Sequence, residues 1–201
     1  SFLAKWLTPR LPRLQQRFPD IQLRLVAEDS NQALHEGDFD LAIDLNDGSY
    51  PGMHSTPLLD EEIFPVCSPA LLRGRPPLHG PGDLVHYPLL HDITAWRGSS
   101  EYAEWEFYLK AIGAEGLDVR RGHTFNRNHL TIEAAIAGIG VAIARRTLLN
   151  DELERGTLIV PFGAPVPNHK RYVLLYSAGT LAHPSARAVH DWLVEEARAF
   201  G

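Results

Sequence analysis

Serine, histidine and aspartate are all common in this 201-residue sequence, so nucleophilic hydrolysis is the first chemistry to consider. The nucleophile pattern G-x-S-x-G is absent, because in Gly48-Ser49-Tyr50-Pro51-Gly52 the serine directly follows the first glycine. Acid–base catalysis needs a carboxyl group whose pKa is raised by burial, whereas adjacent acids usually form solvated faces. Paired acids of this kind include Asp38/Asp40, Glu61/Glu62 and Glu195/Glu196. The sequence therefore predicts no catalytic residue and no enzyme.

The histidines and the single cysteine do not fall at metal-ligand spacings. No H-E-x-x-H or C-x-x-C motif occurs, and His79, His86 and His91 lack helical periodicity. A dinucleotide fingerprint is also missing, since Gly138-x-Gly140 comes before a predicted strand rather than after one. We therefore expect no metal and no cofactor. Cys67 alone cannot form an internal disulfide and is expected to be a small buried apolar residue.

Two predicted helix starts are the remaining candidates for binding chemistry. Ser1 precedes the first helical turn, and Asn126-Arg127-Asn128 precede a later helix. The first backbone N–H groups of a helix lack internal partners and favour an anion or a carboxylate. Side-chain capping alone also explains both starts, so a binding role depends on whether the two ends face one cleft.

Charge and composition limit the partners. The chain has 19 Lys and Arg against 25 Asp and Glu, a net charge of −6, and a pI near 5.9. Such a chain lacks the basic surface that binding to a phosphate backbone needs, so these residues alone are not expected to bind nucleic acid. The apolar run at 130–144 contains Glu133 and is shorter than the roughly 20 residues of a bilayer span. With no signal peptide at its start, the chain is expected to be cytoplasmic and to have no membrane partner.

The opening segment is predicted to be an interrupted amphipathic helix. Apolar residues recur at helical spacing from Leu3 to Phe18, with arginines on the other face. Pro9 cannot donate a hydrogen bond to the preceding turn, which predicts Thr8 as an N-cap and a main helix from Pro9 to Arg17. Ser1 is predicted to cap the short turn before it.

Strands and helices alternate along the rest of the chain, which predicts an α/β fold. Strands at 21–26 and 41–45 flank a short helix at 30–36, a βαβ unit with a right-handed crossover. Pro/Gly-rich segments near 46–52 and 161–167 are candidate places for the chain to cross between two lobes. Further strands are predicted at 63–67, 89–90, 119–125, 141–144, 158–160 and 172–176, and further helices at 105–112, 128–137, 146–155 and 185–200.

Six stretches form a pattern that is specific when they are taken in order. They are SFLAKWLTPRL at 1–11, FPDI at 18–21, LHEGDFDLAI at 34–43, EAAIAGIGVAIA at 133–144, ELERGTLIVPF at 152–162 and DWL at 191–193. Together they extend over nearly the whole chain. In this order they resemble the effector-binding domain of LysR-type transcriptional regulators, in the branch of the glycine-cleavage activator and the β-lactamase regulator.

The resemblance implies two Rossmann-like lobes joined by two crossing strands, like a type 2 periplasmic binding protein. Lobe I maps to 1–60 plus 177–201 and lobe II to 61–176. A small-molecule effector is expected between the lobes. DNA contact is expected only through an N-terminal winged helix-turn-helix domain, which belongs to the full-length protein and lies outside this chain. The strand that usually precedes the Ser-Phe pair also lies outside it.

A homodimer or tetramer is a further implication of the resemblance. The helix at 9–17 of one chain would pack against the helix at 129–137 of its partner, and two-fold symmetry would repeat the contact.

The effector-contacting positions that the resemblance implies carry hydroxyl, amide and aromatic side chains. They are Ser1, Phe2, Asn126, Asn128 and Tyr172. Two departures from relatives bear on the ligand: Asp44 stands where relatives often have arginine, and Ala33 where the β-lactamase regulator has an aspartate contact. A muropeptide-type ligand is therefore disfavoured. We expect a small carboxylate or amino acid, with its carboxylate at Ser1 and any ammonium near Asp44.

The alternative is a solute-binding protein of a transport system with the same fold. It predicts a secretion signal and a monomer, whereas a regulator predicts an upstream helix-turn-helix and a dimer. An enzyme on this scaffold is disfavoured because no acid–base or nucleophile constellation emerges.

Overall fold

The structure is a computed structural model that describes residues 1–27, 39–46, 50–96 and 98–200. The chain divides into two compact units. Unit 1 consists of Ser1–Lys5 and Glu62–Pro167, and unit 2 of Trp6–Glu61 and Asn168–Gly201. Compared with the predicted lobes, residues 1–5, 61 and 168–176 belong to the other unit. The Pro/Gly-rich segment at 161–167 ends at a boundary between the units, whereas that at 46–52 lies within unit 2.

Four α-helices and six strands are present in the described residues. The helices are α1 (Leu11–Arg17), α2 (Ala103–Ala111), α3 (Asn128–Ile136) and α4 (Pro184–Phe200). The strands are β1 (Ala42–Asn46), β2 (His54–Val66), β3 (Leu89–Asp92), β4 (His123–Phe125), β5 (Val141–Arg145) and β6 (Val166–Tyr176). Short 3-10 turns lie at Pro69–Leu72, Pro81–His86, Arg146–Leu148 and Thr180–Ala182.

Unit 1 has a mixed sheet with the strand order β2-β5-β3-β4. β2 pairs antiparallel with β5, while β3 pairs in parallel with both β5 and β4. β3 and β5 are buried along their whole length, which is why they lack the apolar–polar alternation of a half-exposed strand. α2 packs on them through Trp105, whose indole N–H donates to the Leu90 carbonyl over 3.1 Å. The parallel strands place their carboxyl ends, with Asp92 and Arg145, at one edge of the sheet.

Two glycines allow the backbone of unit 1 to approach β3 closely. A Cβ at Gly140 would lie 2.5 Å from the Pro88 carbonyl oxygen, and one at Gly122 would lie 1.9 Å from the Leu89 carbonyl oxygen. Gly138, with a φ of 76°, ends α3. The Gly138-x-Gly140 pair is therefore explained by chain reversal and close strand packing, as its position before β5 predicted.

In unit 2, β1 pairs antiparallel with β6, and β6 lies between β1 and β2 in the sheet order. α4 buries Trp192, Leu193 and Ala197. Trp6 is fully buried and meets Phe200 edge to face, with ring centroids 6.4 Å apart. The beginning and the end of unit 2 are thereby packed together.

The first helix differs from its prediction. The chain is helical from Leu3 but changes type, with a π-helical turn at Leu3–Leu7 and a 3-10 turn at Thr8–Arg10 before α1 begins. Pro9 and Pro12 have no N–H, so a continuous α-helical ladder cannot run through this segment. Thr8 is consequently not the N-cap of the main helix; Arg10 occupies that position.

The predicted strand at 21–26 is wrong, because residues 21–27 form no strand. Leu23, Leu25 and Val26 are among the exposed large apolar residues, and no strand of the described residues pairs with this segment. Alternation alone cannot make a strand without a neighbour to complete the hydrogen-bond ladder. The βαβ unit therefore lacks its first strand, and its predicted helix at 30–36 lies outside the described residues.

Other predictions held in part. The helices at 105–112, 128–137 and 185–200 and the strand at 141–144 are confirmed within two residues at each end. The helix at 146–155 is wrong, since only a 3-10 turn at Arg146–Leu148 forms. The strand at 158–160 is reduced to one bridge between Ile159 and Cys67, and that at 119–125 to β4.

Cys67 is fully buried as predicted, and burial raises the pKa of its thiol to about 11.

A buried ionic cluster lies where β3 and β5 of unit 1 end. The Arg145 guanidinium donates to Glu104 Oε1 over 2.9 Å and to the Ala95 carbonyl over 3.0 Å, and its Nη2 lies 3.5 Å from Asp92 Oδ2. All three charged side chains are at most 8% exposed. The pattern of a buried strand that ends in a charged residue was present in the sequence and marks this cluster.

Replacing Arg145 with methionine should lower the free energy of unfolding by about 3–5 kcal/mol, because it leaves the Glu104 and Asp92 carboxylates buried without their cation. Arg146→Met is the matched control. Arg146 bonds to Glu62 over 2.6 Å with both side chains largely exposed, and its loss should cost about 0–1 kcal/mol. Urea unfolding of both variants measures the difference, and equal losses would contradict the buried role of Arg145.

Candidate functional site

The two helix starts singled out in the sequence meet in unit 1. The Ser1 hydroxyl, predicted to cap its own first turn, accepts a hydrogen bond from the His129 backbone N–H over 3.3 Å. Its Oγ also lies 3.2 Å from His129 Nδ1. His129 is the second residue of α3, so Ser1 caps a helix that begins far along the chain, at Asn128.

A second contact fastens the first five residues to the same helix. Lys5 Nζ lies 3.1 Å from Glu133 Oε1, one helical turn after His129, and 3.3 Å from Glu152 Oε1. Glu152 is buried, and its other carboxylate oxygen accepts from the Asn150 N–H over 2.6 Å. Burial lowers the pKa of Lys5, but the hydrogen bond to Glu133 and the charge of Glu152 outweigh it, so the pKa is raised on balance. Lys5 therefore stays charged.

α3 begins at Asn128, the first residue of the predicted helix at 128–137. Its N-cap is Arg127 rather than Asn128, and no side-chain bond from Arg127 caps it. The Asn128 side chain is 1% exposed and donates weakly to the Ile143 carbonyl of β5 over 3.5 Å. Its Oδ1 has no hydrogen-bond partner among the described residues. A buried acceptor without a donor is costly, and it marks a place where a ligand donor would be stabilising.

The loops after β3 and β4 meet beside this helix start. The Thr94 Oγ1 lies 3.0 Å from the Asn126 carbonyl oxygen and 2.9 Å from Asp92 Oδ1, so its single proton has an acceptor on either side. Asn126 is exposed, and its carbonyl also accepts from Arg127 Nη1 over 2.7 Å. Polar residues thus collect at the carboxyl ends of parallel strands, the edge at which α/β sheets bind ligands.

The electrostatics of the helix start favour an anion. The partial positive charge of the α3 N-terminus adds to the charge of Arg127, whereas the charge of Lys5 is already paired with Glu133 and Glu152. Burial lowers the pKa of His129, and nearby positive charges, among them Lys5 and Arg127, lower it further against an opposing effect of Glu133. An anion at the helix start would interact favourably with the helix end and with Arg127.

The remaining predicted residues lie in unit 2 or at the chain start. Phe2 is half-buried. Asp44 on β1 accepts a hydrogen bond from the Tyr50 hydroxyl over 2.6 Å. Tyr172 on β6 is buried and pairs with Leu45, whereas Asp44 pairs with Val173, so the side chains of Tyr172 and Asp44 lie on opposite faces of the sheet. The structure therefore places Ser1, Asn126 and Asn128 in unit 1, and it places Asp44 and Tyr172 in unit 2 without bringing those two together.

Sequence reasoning missed His129 and Thr94. No local pattern indicates that His129 meets Ser1, because the contact joins distant parts of the chain. Thr94 did carry a signal: Asp92-Ile93-Thr94 directly follows the apolar pair Leu89-Leu90, which is typical of polar groups at the end of a buried strand.

No helix within the described ranges has the length and apolar character that a bilayer span requires. Nor do three histidine, cysteine or acidic side chains converge as a metal site anywhere in that part of the chain.

Comparison with known proteins decides the family. The model of the LysR substrate binding domain matches residues 1–198. The chain belongs to the LysR substrate-binding domain family. The glycine cleavage system transcriptional activator of Escherichia coli K12 is 32% identical over 199 residues, and the HTH-type transcriptional regulator DsdC of the same strain is 34% identical over 199 residues. The chain spans 63% of the length of each of these relatives, and the alignments cover 99% and 98% of the chain.

Solved structures of LysR effector domains have the same fold. The effector domain of AmpR from Pseudomonas aeruginosa has a TM-score of 0.79 at 28% identity, with 98% of this chain and 92% of that chain covered. The AmpR effector-binding domain from Citrobacter freundii reaches a TM-score of 0.81 at 23% identity, with 99% and 95% covered, and supports the fold alone. The predicted α/β fold class, like a type 2 periplasmic binding protein, is confirmed.

Proposed function

We propose that this LysR domain senses a small amino acid or carboxylate at the start of α3, and that the full-length protein uses the signal to control DNA binding and transcription. The observation that carries the proposal is the convergence of Ser1 with the first turn of α3. Two helix starts, far apart in the sequence, supply a hydroxyl and backbone N–H groups at one place in unit 1. DNA contact would come from a winged helix-turn-helix domain outside this chain.

The chemistry of the place suits a carboxylate. A carboxylate accepts charge-assisted hydrogen bonds from hydroxyl and backbone N–H donors, and the positive end of α3 with Arg127 stabilises its charge. The bond between Ser1 and His129 is long enough, at 3.2–3.3 Å, for a charged acceptor to compete for the same donors. The effector carboxylate is therefore proposed to bind at Ser1.

Hydrogen-bond acceptors are available for an ammonium group of the same ligand. The partnerless Oδ1 of Asn128 would gain a donor. Asp44 stays our prediction for the ammonium, and Tyr172 stays the effector contact that the family resemblance implies. The name of one relative, the glycine cleavage system activator, also supports an amino-acid-like effector.

The comparisons do not favour the transport alternative, because the curated relatives named above are transcriptional regulators. The same relatives support a binding domain rather than an enzyme.

Calorimetric titration of the chain with the twenty protein amino acids and their D enantiomers tests the effector site. At least one should bind, and Ser1→Ala should weaken it about 10- to 100-fold, because a hydrogen bond to a charged group contributes about 1.5–3 kcal/mol. Ser185→Ala, which removes an exposed hydroxyl from the first turn of α4, is the matched control and should bind like the parent. Binding by no amino acid, or equal binding to Ser1→Ala, would contradict the proposal.

Dimerisation through α1 of one chain and α3 of its partner is part of the proposed function. Unit 1 exposes Leu130 on α3 and Ile139 just after it, at 41% and 43%. Unit 2 exposes Leu23, Leu25 and Val26 shortly after α1. Two separate apolar surfaces, one in each unit, suit a symmetric pair in which each contact occurs twice. A tetramer would need a further interface in the full-length protein.

Light scattering of the purified chain at high concentration should detect a dimer. Leu130→Glu should shift it to monomer, because it would bury an unpaired carboxylate in the interface. Val85→Glu changes an apolar residue of unit 1 that is 63% exposed and should leave the dimer intact. A chain that is monomeric throughout, or a dimer that Leu130→Glu does not affect, would exclude this interface.

A further inference from the structure

Unit 2 contains a surface cleft that none of the predicted effector positions lines. It has a volume of about 350 Å³, within the range of small-molecule sites. The cleft lies where β2 begins and β6 ends, next to the start of α4. Its lining residues are His54, Tyr176, Ser177, Gly179, Leu181, Ala182 and Arg187.

One wall of the cleft is aromatic. The rings of His54, the first residue of β2, and Tyr176, the last residue of β6, stack with centroids 5.6 Å apart and an interplanar angle of 20°. His190 on α4 meets Tyr176 edge to face at 5.2 Å. Two nearly parallel rings offer a planar ligand an apolar face.

A chain of hydrogen bonds holds this wall in place. Asp191 Oδ1 lies 2.8 Å from His190 Nδ1, and an imidazole that donates there carries an acceptor at Nε2. Thr56 Oγ1 lies 3.1 Å from that Nε2 and 3.3 Å from the Tyr176 hydroxyl. The order of donors is then Tyr176 to Thr56 to His190 to Asp191, so the Tyr176 ring is fixed before any ligand arrives.

The polar side of the cleft is cationic. Arg187 is exposed, and its Nε donates to the Leu181 carbonyl over 2.8 Å, which orients the guanidinium. Ser177 adds a hydroxyl, which lies 3.0 Å from Thr180 Oγ1. No aspartate or glutamate of the described residues lines the cleft, although the whole chain carries a net charge of −6. Asp191, one helical turn after Arg187 on α4, is engaged by His190. A guanidinium oriented in this way is suited to a carboxylate ligand.

We propose that this cleft is a second small-molecule site, which binds a carboxylate with a planar apolar body. The carboxylate pairs with Arg187, and the planar part lies against the stacked rings of His54 and Tyr176. Leu181 and Ala182 cover its remaining apolar surface. The site shares no residue with the effector positions in unit 1 and does not depend on the proposed function.

Titration of the ¹⁵N-labelled chain with phenylacetate, followed by NMR, tests the site. Phenylacetate should shift the amide resonances of residues 177–187 in a saturable way. Acetate, which lacks the ring, and phenethylamine, which lacks the carboxylate, should each bind at least tenfold more weakly. Arg187→Gln removes the charge but keeps a donor for the Leu181 carbonyl, and it should weaken phenylacetate at least tenfold.

A control variant and a second test variant complete the experiment. Arg198→Gln alters an exposed arginine at the far end of α4 and should bind phenylacetate like the parent. His54→Leu removes one ring of the stacked pair and changes no residue of α4. It therefore tests the site independently if Arg187→Gln fails to fold. Saturable shifts confined to residues 1–5 and 126–132, binding unchanged by both Arg187→Gln and His54→Leu, or no saturable binding would each overturn the proposal.

Discussion

The start of α3 is the constraint on which the site in unit 1 depends. A helix of nine residues leaves its first N–H groups without internal partners, and here its N-cap residue supplies no side-chain acceptor. Ser1 supplies one instead, and Lys5 adds two ion pairs that hold the same segment on α3 and on buried Glu152. Residues 1–5 thereby join unit 1 rather than unit 2, which contains the chain that follows them. A ligand that competes for the Ser1 hydroxyl would act directly on this attachment.

Much of the fold could be predicted because its signals are local. α2, α3 and α4 follow from 3.6-residue periodicity, and Gly113 and Gly138, both with positive φ, come directly after the ends of α2 and α3 as glycines commonly do. β5 follows from a short apolar run between glycine and arginine. The order of motifs across the whole chain also predicted the family, since each motif is weak but their sequence is specific.

The rest depends on contacts between distant residues, which periodicity does not contain. Residues 21–27 alternate like a strand but have no partner strand within the described part of the chain, so they form none. Residues 146–155 have helical composition but are drawn into a 3-10 turn and into contacts of Glu152 with Lys5 and the Asn150 N–H. For the site, the types of Ser1 and Asn128 were informative, whereas the contact of Ser1 with His129 and the burial of Asn128 required the structure.

The most direct test of the central claim is an NMR titration of His129, whose ring lies 3.2 Å from the Ser1 hydroxyl. In the free chain its pKa should lie below the ordinary 6.5, because burial and nearby positive charges disfavour the protonated ring. A saturating amino acid with its carboxylate at the start of α3 should raise that pKa, because a nearby anion favours the charged form of histidine. A pKa of His129 that does not change while the amino acid binds would place the carboxylate elsewhere and contradict the account.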